Sequence, residues 1–153
     1  QRRLSDFYFV PKSEITSVME DSFIDAYAMP SGVIYIGDDI TTNDIGLVYH
    51  EIAHVLDFDS YAPFSLEYDE FIRFSTNPEW QTIHDAEWVQ VDDSEYYYND
   101  PIESFAQAFA GYTLEKYQGL QMSDLGYENE DIIDRPLSKA YFDSFFERHN
   151  YNE

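Results

Sequence analysis

Two histidines four residues apart, His50 and His54, stand in a run whose apolar residues recur at helical spacing. In a helix, residues i and i+4 lie on one face, one turn above the other. Val48, Ile52, Val55 and Leu56 share a different face, which must turn inward. The run therefore predicts a helix over roughly 43–57, with Thr42-Asn43-Asp44 supplying a cap and an early acid. One side is buried and the other presents two imidazoles. Such a helix needs a core to lie on. The chain has 153 residues, 44% of them hydrophobic and 18% aromatic, with fourteen Tyr and twelve Phe, so one domain over residues 1–153 with an aromatic core is expected.

The remaining elements divide by region. Phe7-Tyr8-Phe9-Val10 reads as a strand, and Ile15, Val18, Met19 and Phe23 as a helix over 13–24. Ala26–Met29 and Val33–Gly37 read as two strands around the tight turn Pro30-Ser31-Gly32. After the histidine helix come a loop, a short helix near 65–74, and a helix over 78–87 that opens on Asn77-Pro78. Asp100-Pro101-Ile102-Glu103 starts an amphipathic helix to about residue 116, with Asp100 and Glu103 at capping-box spacing. Gly119 and Gly126 break the chain. Pro136 opens a last helix with Leu137, Phe142, Phe145 and Phe146 as its apolar face. Strands come first and helices after, so the expected class is α+β.

Charge removes whole classes of partner. Eight basic residues stand against 31 acidic ones, a net charge of −23, and such a field repels phosphate, so no nucleic acid is expected. No apolar run is long enough to span a membrane. There is no cysteine, so neither disulfides nor thiolate metal sites are available. Starting at Gln1 without Met or a signal segment, the chain reads as a mature form or an excised domain, and a monomer is expected.

The chemistry lies at His50-Glu51-Ile52-Ala53-His54. Two imidazoles one turn apart can point at one Zn²⁺, at about 2.0–2.1 Å. Glu51 stands one step round the helix, within reach of a water on the ion, where it can take and return a proton. A catalytic zinc usually has three protein ligands, so a third is needed. The zinc class with Gly three residues after the second His and another His three later is excluded, because Asp57 and Ser60 stand there. His84 and His149 are expected to be surface residues. Glu103 is the better candidate, although an acid in a first helical turn also suits capping. Gln107, one turn further on, could hydrogen-bond a ligand imidazole from behind.

His50-Glu51-Ile52-Ala53-His54-Val55-Leu56-Asp57, then Tyr96, then Glu103-Ser104-Phe105-Ala106-Gln107-Ala108-Phe109, resemble the catalytic domain of anthrax-lethal-factor-like metallopeptidases, a group that includes the bacterial Pro-Pro endopeptidases. The likeness spans roughly residues 27–116, with Pro30–Gly37 similar to the segment before the histidine helix. It implies a zincin-like fold, with a small N-terminal mixed sheet whose edge strand lies beside the histidine helix and a mainly helical C-terminal part. It implies zinc on His50, His54 and Glu103, Glu51 as general base, Tyr96 stabilising the transition state, and Gln107 and Asp57 supporting the ligands. Family members often carry an acid where this chain has Gln107, which would reduce the charge behind the ligands. Secretion is expected by the same resemblance.

The expected function is zinc-dependent endopeptidase, hydrolysing a peptide or protein substrate with zinc-bound water, with Pro-containing sites suggested by the resemblance. A substrate would add as a strand along Val33, Ile34, Tyr35 and Ile36. Trp80, Trp88 and Tyr96-Tyr97-Tyr98 could wall a site for proline rings, but core packing is the expected role of both Trp. The alternative is a peptide-binding or toxin-scaffold domain that keeps the fold without turnover.

Overall fold

The computed structural model describes residues 6–19, 25–29, 31–57, 73–89, 99–127 and 130–148. It is an α+β arrangement: a three-stranded mixed sheet, then mostly helix. Strands β1 (Asp6–Val10), β2 (Ala26–Ala28) and β3 (Val33–Gly37) lie in the order β1-β3-β2. β1 pairs with β3 in parallel, from Asp6 opposite Val33 to Val10 opposite Gly37. A parallel pair needs a crossover, and helix α1 (Lys12–Met19) lies within it. β2 pairs with β3 antiparallel, Tyr27 opposite Tyr35. In the turn between them Gly32 donates to the Met29 carbonyl at 2.9 Å and stands at φ 90°, where a Cβ would strain the backbone.

The sheet separates its faces as a period of two dictates. Tyr8, Tyr27 and Tyr35 stack across one face, with ring centroids 5.5 and 4.9 Å apart. Ile34 and Ile36 are buried on the other with Ala26, against Val55 of helix α2 (Ile45–Asp57). Thr41 and Asp44 form a capping box at a 3₁₀ turn over Thr42–Asp44, so the cap stands one residue before the expected Thr42. Of the expected inward face Val55 is buried, while Val48, Ile52 and Leu56 are half-buried against the core clusters; fully buried Ala53 adds to it.

Helices α3 (Pro78–Glu87), α4 (Pro101–Thr113) and α5 (Pro136–Arg148) enclose an aromatic core. Trp80, Trp88, Phe105, Phe142 and Phe145 are all fully buried there, so both Trp fill the core and neither walls a cleft. Phe105 meets Trp80 and Phe142 at 5.2 Å between centroids, the T-shaped packing aromatic quadrupoles favour. α4 is buried along nearly its whole length, and its Ala106, Ala108 and Ala110 allow close packing with its neighbours, α2 foremost. It continues as a π-helical turn over Leu114–Gln118, closed by Gly119 at φ 67°. On α5, Leu137, expected on the apolar face, is 48% exposed, and Tyr141, which was not, is buried in the core.

The sheet order corrects the expected substrate strand. Val33, Ile34, Tyr35 and Ile36 form the middle strand, bonded on both sides, and strand addition requires a free edge. Among the described residues the edges are β1 and β2. Gly37 donates to the Asp25 carbonyl and Met29 to the Val33 carbonyl, so 25, 27 and 29 bond toward β3. The backbone groups of Ala26 and Ala28 therefore face outward, and β2 lies beside α2.

Candidate metal centre

α2 and α4 pack closely, and their facing side chains build the site. The rings of His50 and His54 meet edge to face, 4.7 Å between centroids, with their Nε2 atoms 3.1 Å apart. Glu103 Oε2 lies 3.1 Å from His50 Nε2 and 3.6 Å from His54 Nε2. Glu103 is free to cross because Asp100 caps α4, accepting from the Ile102 N–H at 2.8 Å. The expected capping box is therefore replaced by a contact between helices.

The three donor atoms stand 3.1, 3.1 and 3.6 Å from one another. Four ligands placed tetrahedrally at 2.0–2.1 Å from a metal are about 3.3–3.4 Å apart. The donor spacing fits one small ion, and two imidazoles with a carboxylate are a donor set that divalent transition metals accept. Glu51 stands beside them: ligand-capable atoms of His50, Glu51 and His54 lie within 4.8 Å of one another, and this His-Glu-His group could hold a metal ion. Glu103 Oε2 lies within 3.6 Å of both Nε2 atoms, so two carboxylates border the histidine pair.

The local electrostatics differ for each group. Burial pushes the Glu51 carboxyl above its ordinary range, against the opposing pull of His54 and His50 and a hydrogen bond from the Ala28 N–H. That N–H is one that faces out from β2, so the acid is tied to the sheet edge. Burial works the same way on Glu103, but hydrogen bonds with His50 and His54 outweigh it and hold that carboxyl well below the usual range. For His54, burial lowers the affinity for a proton and Glu103, Glu51 and Asp57 more than restore it, so it is raised.

Behind the centre, His50 Nδ1 lies 2.8 Å from Gln107 Oε1, the support expected of Gln107. Asp57 serves differently: fully buried, it accepts from the Ser75 N–H at 2.7 Å, the Ser75 hydroxyl at 2.6 Å and Arg73 at 3.4 Å, anchoring the chain where it returns to the end of α2. Its charge reaches His54 through space and raises the affinity of that imidazole for a proton. His84 is buried, not a surface residue, with Nδ1 2.8 Å from Ser104 Oγ between α3 and α4. Tyr96, Tyr97, Tyr98 and His149 lie outside the described residues. His50 and Gln107 also border a cavity of about 330 Å³ rimmed by Asp25, Asp39, Asp44 and Lys12.

Sequence reasoning did not find the outward N–H of Ala28 or the buried Glu130, whose carboxylate accepts from the Gln107 amide. Glu130 lies in Glu128-Asn129-Glu130-Asp131, an acidic stretch in which nothing marks one residue. No family model matches the chain, and neither a curated protein nor a solved structure matches it. Among the described residues no helix is long and apolar enough to cross a membrane.

Proposed function

We propose that this chain is the catalytic domain of a zinc-dependent endopeptidase of zincin type, working in the manner of the lethal-factor-like group. The observation that carries the reading is the convergence of His50 Nε2, His54 Nε2 and Glu103 Oε2 at ligand spacing beside a second carboxylate, Glu51. His50, His54 and Glu103 would hold the zinc, which would supply Lewis acidity toward a water and a substrate carbonyl. Glu51 takes the proton from the attacking water and returns it to the departing nitrogen. Burial raises its affinity for a proton, which strengthens the ionised carboxylate as an acceptor. Tyr96 donates to the developing oxyanion, by the resemblance alone.

The substrate lies extended along the outer edge of β2, taking over the Ala28 N–H that Glu51 holds, which places its backbone next to Glu51. The acid-rimmed cavity beside His50, together with the net charge of −23, favours basic side chains in the substrate. Proline at the cleavage site and action outside the cell follow from the resemblance.

A peptide library tests the reading. The metal-free protein should cleave nothing, and one equivalent of zinc should restore cleavage. Glu51→Gln should keep zinc and fold while turnover falls by a factor of about 10²–10⁴, the usual range for a lost general base. Normal cleavage by Glu51→Gln would place the base elsewhere. Full zinc binding with no cleavage of any peptide would leave a peptide-binding domain without turnover.

A further inference from the structure

Glu130 is only 4% exposed, yet it is an acid, and burying a carboxylate is costly unless its bonds are met. Its Oε2 accepts from Gln107 Nε2. The Oε1 of the same amide lies 2.8 Å from His50 Nδ1. Three groups from three segments thus stand in series, and each link constrains the next.

A carboxylate only accepts, so the amide must turn its NH₂ toward Glu130. The amide oxygen is then left for His50, and it too only accepts. His50 Nδ1 must therefore carry the proton and donate it. A neutral imidazole protonated at Nδ1 has its lone pair at Nε2. That atom lies 3.1 Å from both Glu103 Oε2 and His54 Nε2, at the point where the three donors converge. Without an acceptor at 130, the Gln107 amide could turn over and present NH₂ to His50. The imidazole would then be pushed to the other tautomer, with a proton where the lone pair is needed.

We propose that Glu130 is a positioning residue that fixes the tautomer of His50 through the Gln107 amide, keeping Nε2 free to bind metal. The sequence gives this chain an amide at 107, and the charge behind the ligands is supplied instead from the segment before α5. The consequence for metal rests on the proposed function, whereas the tautomer claim stands on the hydrogen bonds alone.

The test has two arms. In metal-free protein at alkaline pH, long-range ¹H–¹⁵N correlation of the histidine rings should show His50 protonated at Nδ1. Glu130→Met should shift it toward the Nε2-protonated form, and Glu130→Gln, which retains an acceptor, should hold it near the wild-type state. In chelator competition Glu130→Met should lose about 10–100-fold in zinc affinity, the usual cost of losing such a support. Gln107→Leu should lose a similar factor, and the double variant should lose little more than either alone. An unchanged tautomer and affinity in Glu130→Met would overturn the proposal. So would additive losses in the double variant, which would mean that Glu130 acts by another route. Should Glu130→Met not fold, Gln107→Leu carries the test: His50 shifted toward the Nε2-protonated form supports the relay, and an unchanged tautomer in Gln107→Leu would overturn it. A wild-type protein that binds no zinc would sink the proposed function while the ring spectra still decide the tautomer.

Discussion

The three described histidines divide by what holds each ring. His50 and His54 face Glu103, while His84 lies across α3 and α4. The Ser104 hydroxyl donates to the Pro101 carbonyl, so its oxygen is left to accept the His84 Nδ1 proton. His84 Nδ1 therefore carries a proton, and burial lowers the affinity of the ring for a second one against the weaker pull of Asp85 and Asp100. The sign follows from linkage: below about pH 6.5 the unfolded chain takes up a proton that the folded one resists, so stability falls as pH drops through that window. Metal-free wild type should lose more urea resistance than His84→Gln between pH 7.5 and 5.5, and parallel losses would show that His84 does not resist protonation. His54 is raised and contributes with the opposite sign, but equally in both proteins. The histidine pair was legible because one helical turn fixes its spacing, and Glu103 and Gln107, 53 and 57 residues from His50, were legible because the pair needs a third ligand and the resemblance marks their helix. The burial of His84 and the contact of Glu130 with Gln107 were not, because no motif marks either residue and only packing brings their partners to them.

Caps show the same division between local and distant rules. Asn77 accepts from the Trp80 N–H at 3.0 Å and Asp100 from Ile102, and both were readable before proline. α5 is capped from outside: Glu87 at the end of α3 accepts from the N–H groups of Leu137 at 2.6 Å and Ser138 at 2.8 Å, and from the Ser138 hydroxyl at 2.7 Å. That hydroxyl also receives the Trp88 indole N–H at 3.1 Å. Glu87→Ala should cost about 0.5–2 kcal/mol, the range for a lost N-cap acceptor, in urea unfolding, with zinc binding unchanged. No loss would mean that water serves these groups as well. The strands illustrate the limit of pattern. Alternation in Val33–Ile36 correctly separated a buried face from a less buried one, but it carries no information on strand order, which depends on β1 joining from across a helix.

On the scale of the molecule, the sheet supplies an edge, α2 carries His50, Glu51 and His54, and α4 brings Glu103 to them across a closely packed helix pair; the proposed function makes these two ligands, the base and the third ligand. The aromatic core under α4 fixes the helix that Glu103 stands on, so the geometry of the centre is set by burial far larger than the site itself. A metal ion there would join α2 to α4, and its binding should therefore depend on Glu103 as strongly as on a histidine. Zinc affinity by chelator competition, compared among wild type, Glu103→Ala and Glu115→Ala, tests this directly. Glu115 is a suitable control because its carboxylate pairs with Lys139. One zinc per chain in wild type and in Glu115→Ala, with affinity lost by several orders of magnitude in Glu103→Ala, is the result predicted. Equal affinity in all three proteins would contradict it and remove Glu103 from the centre.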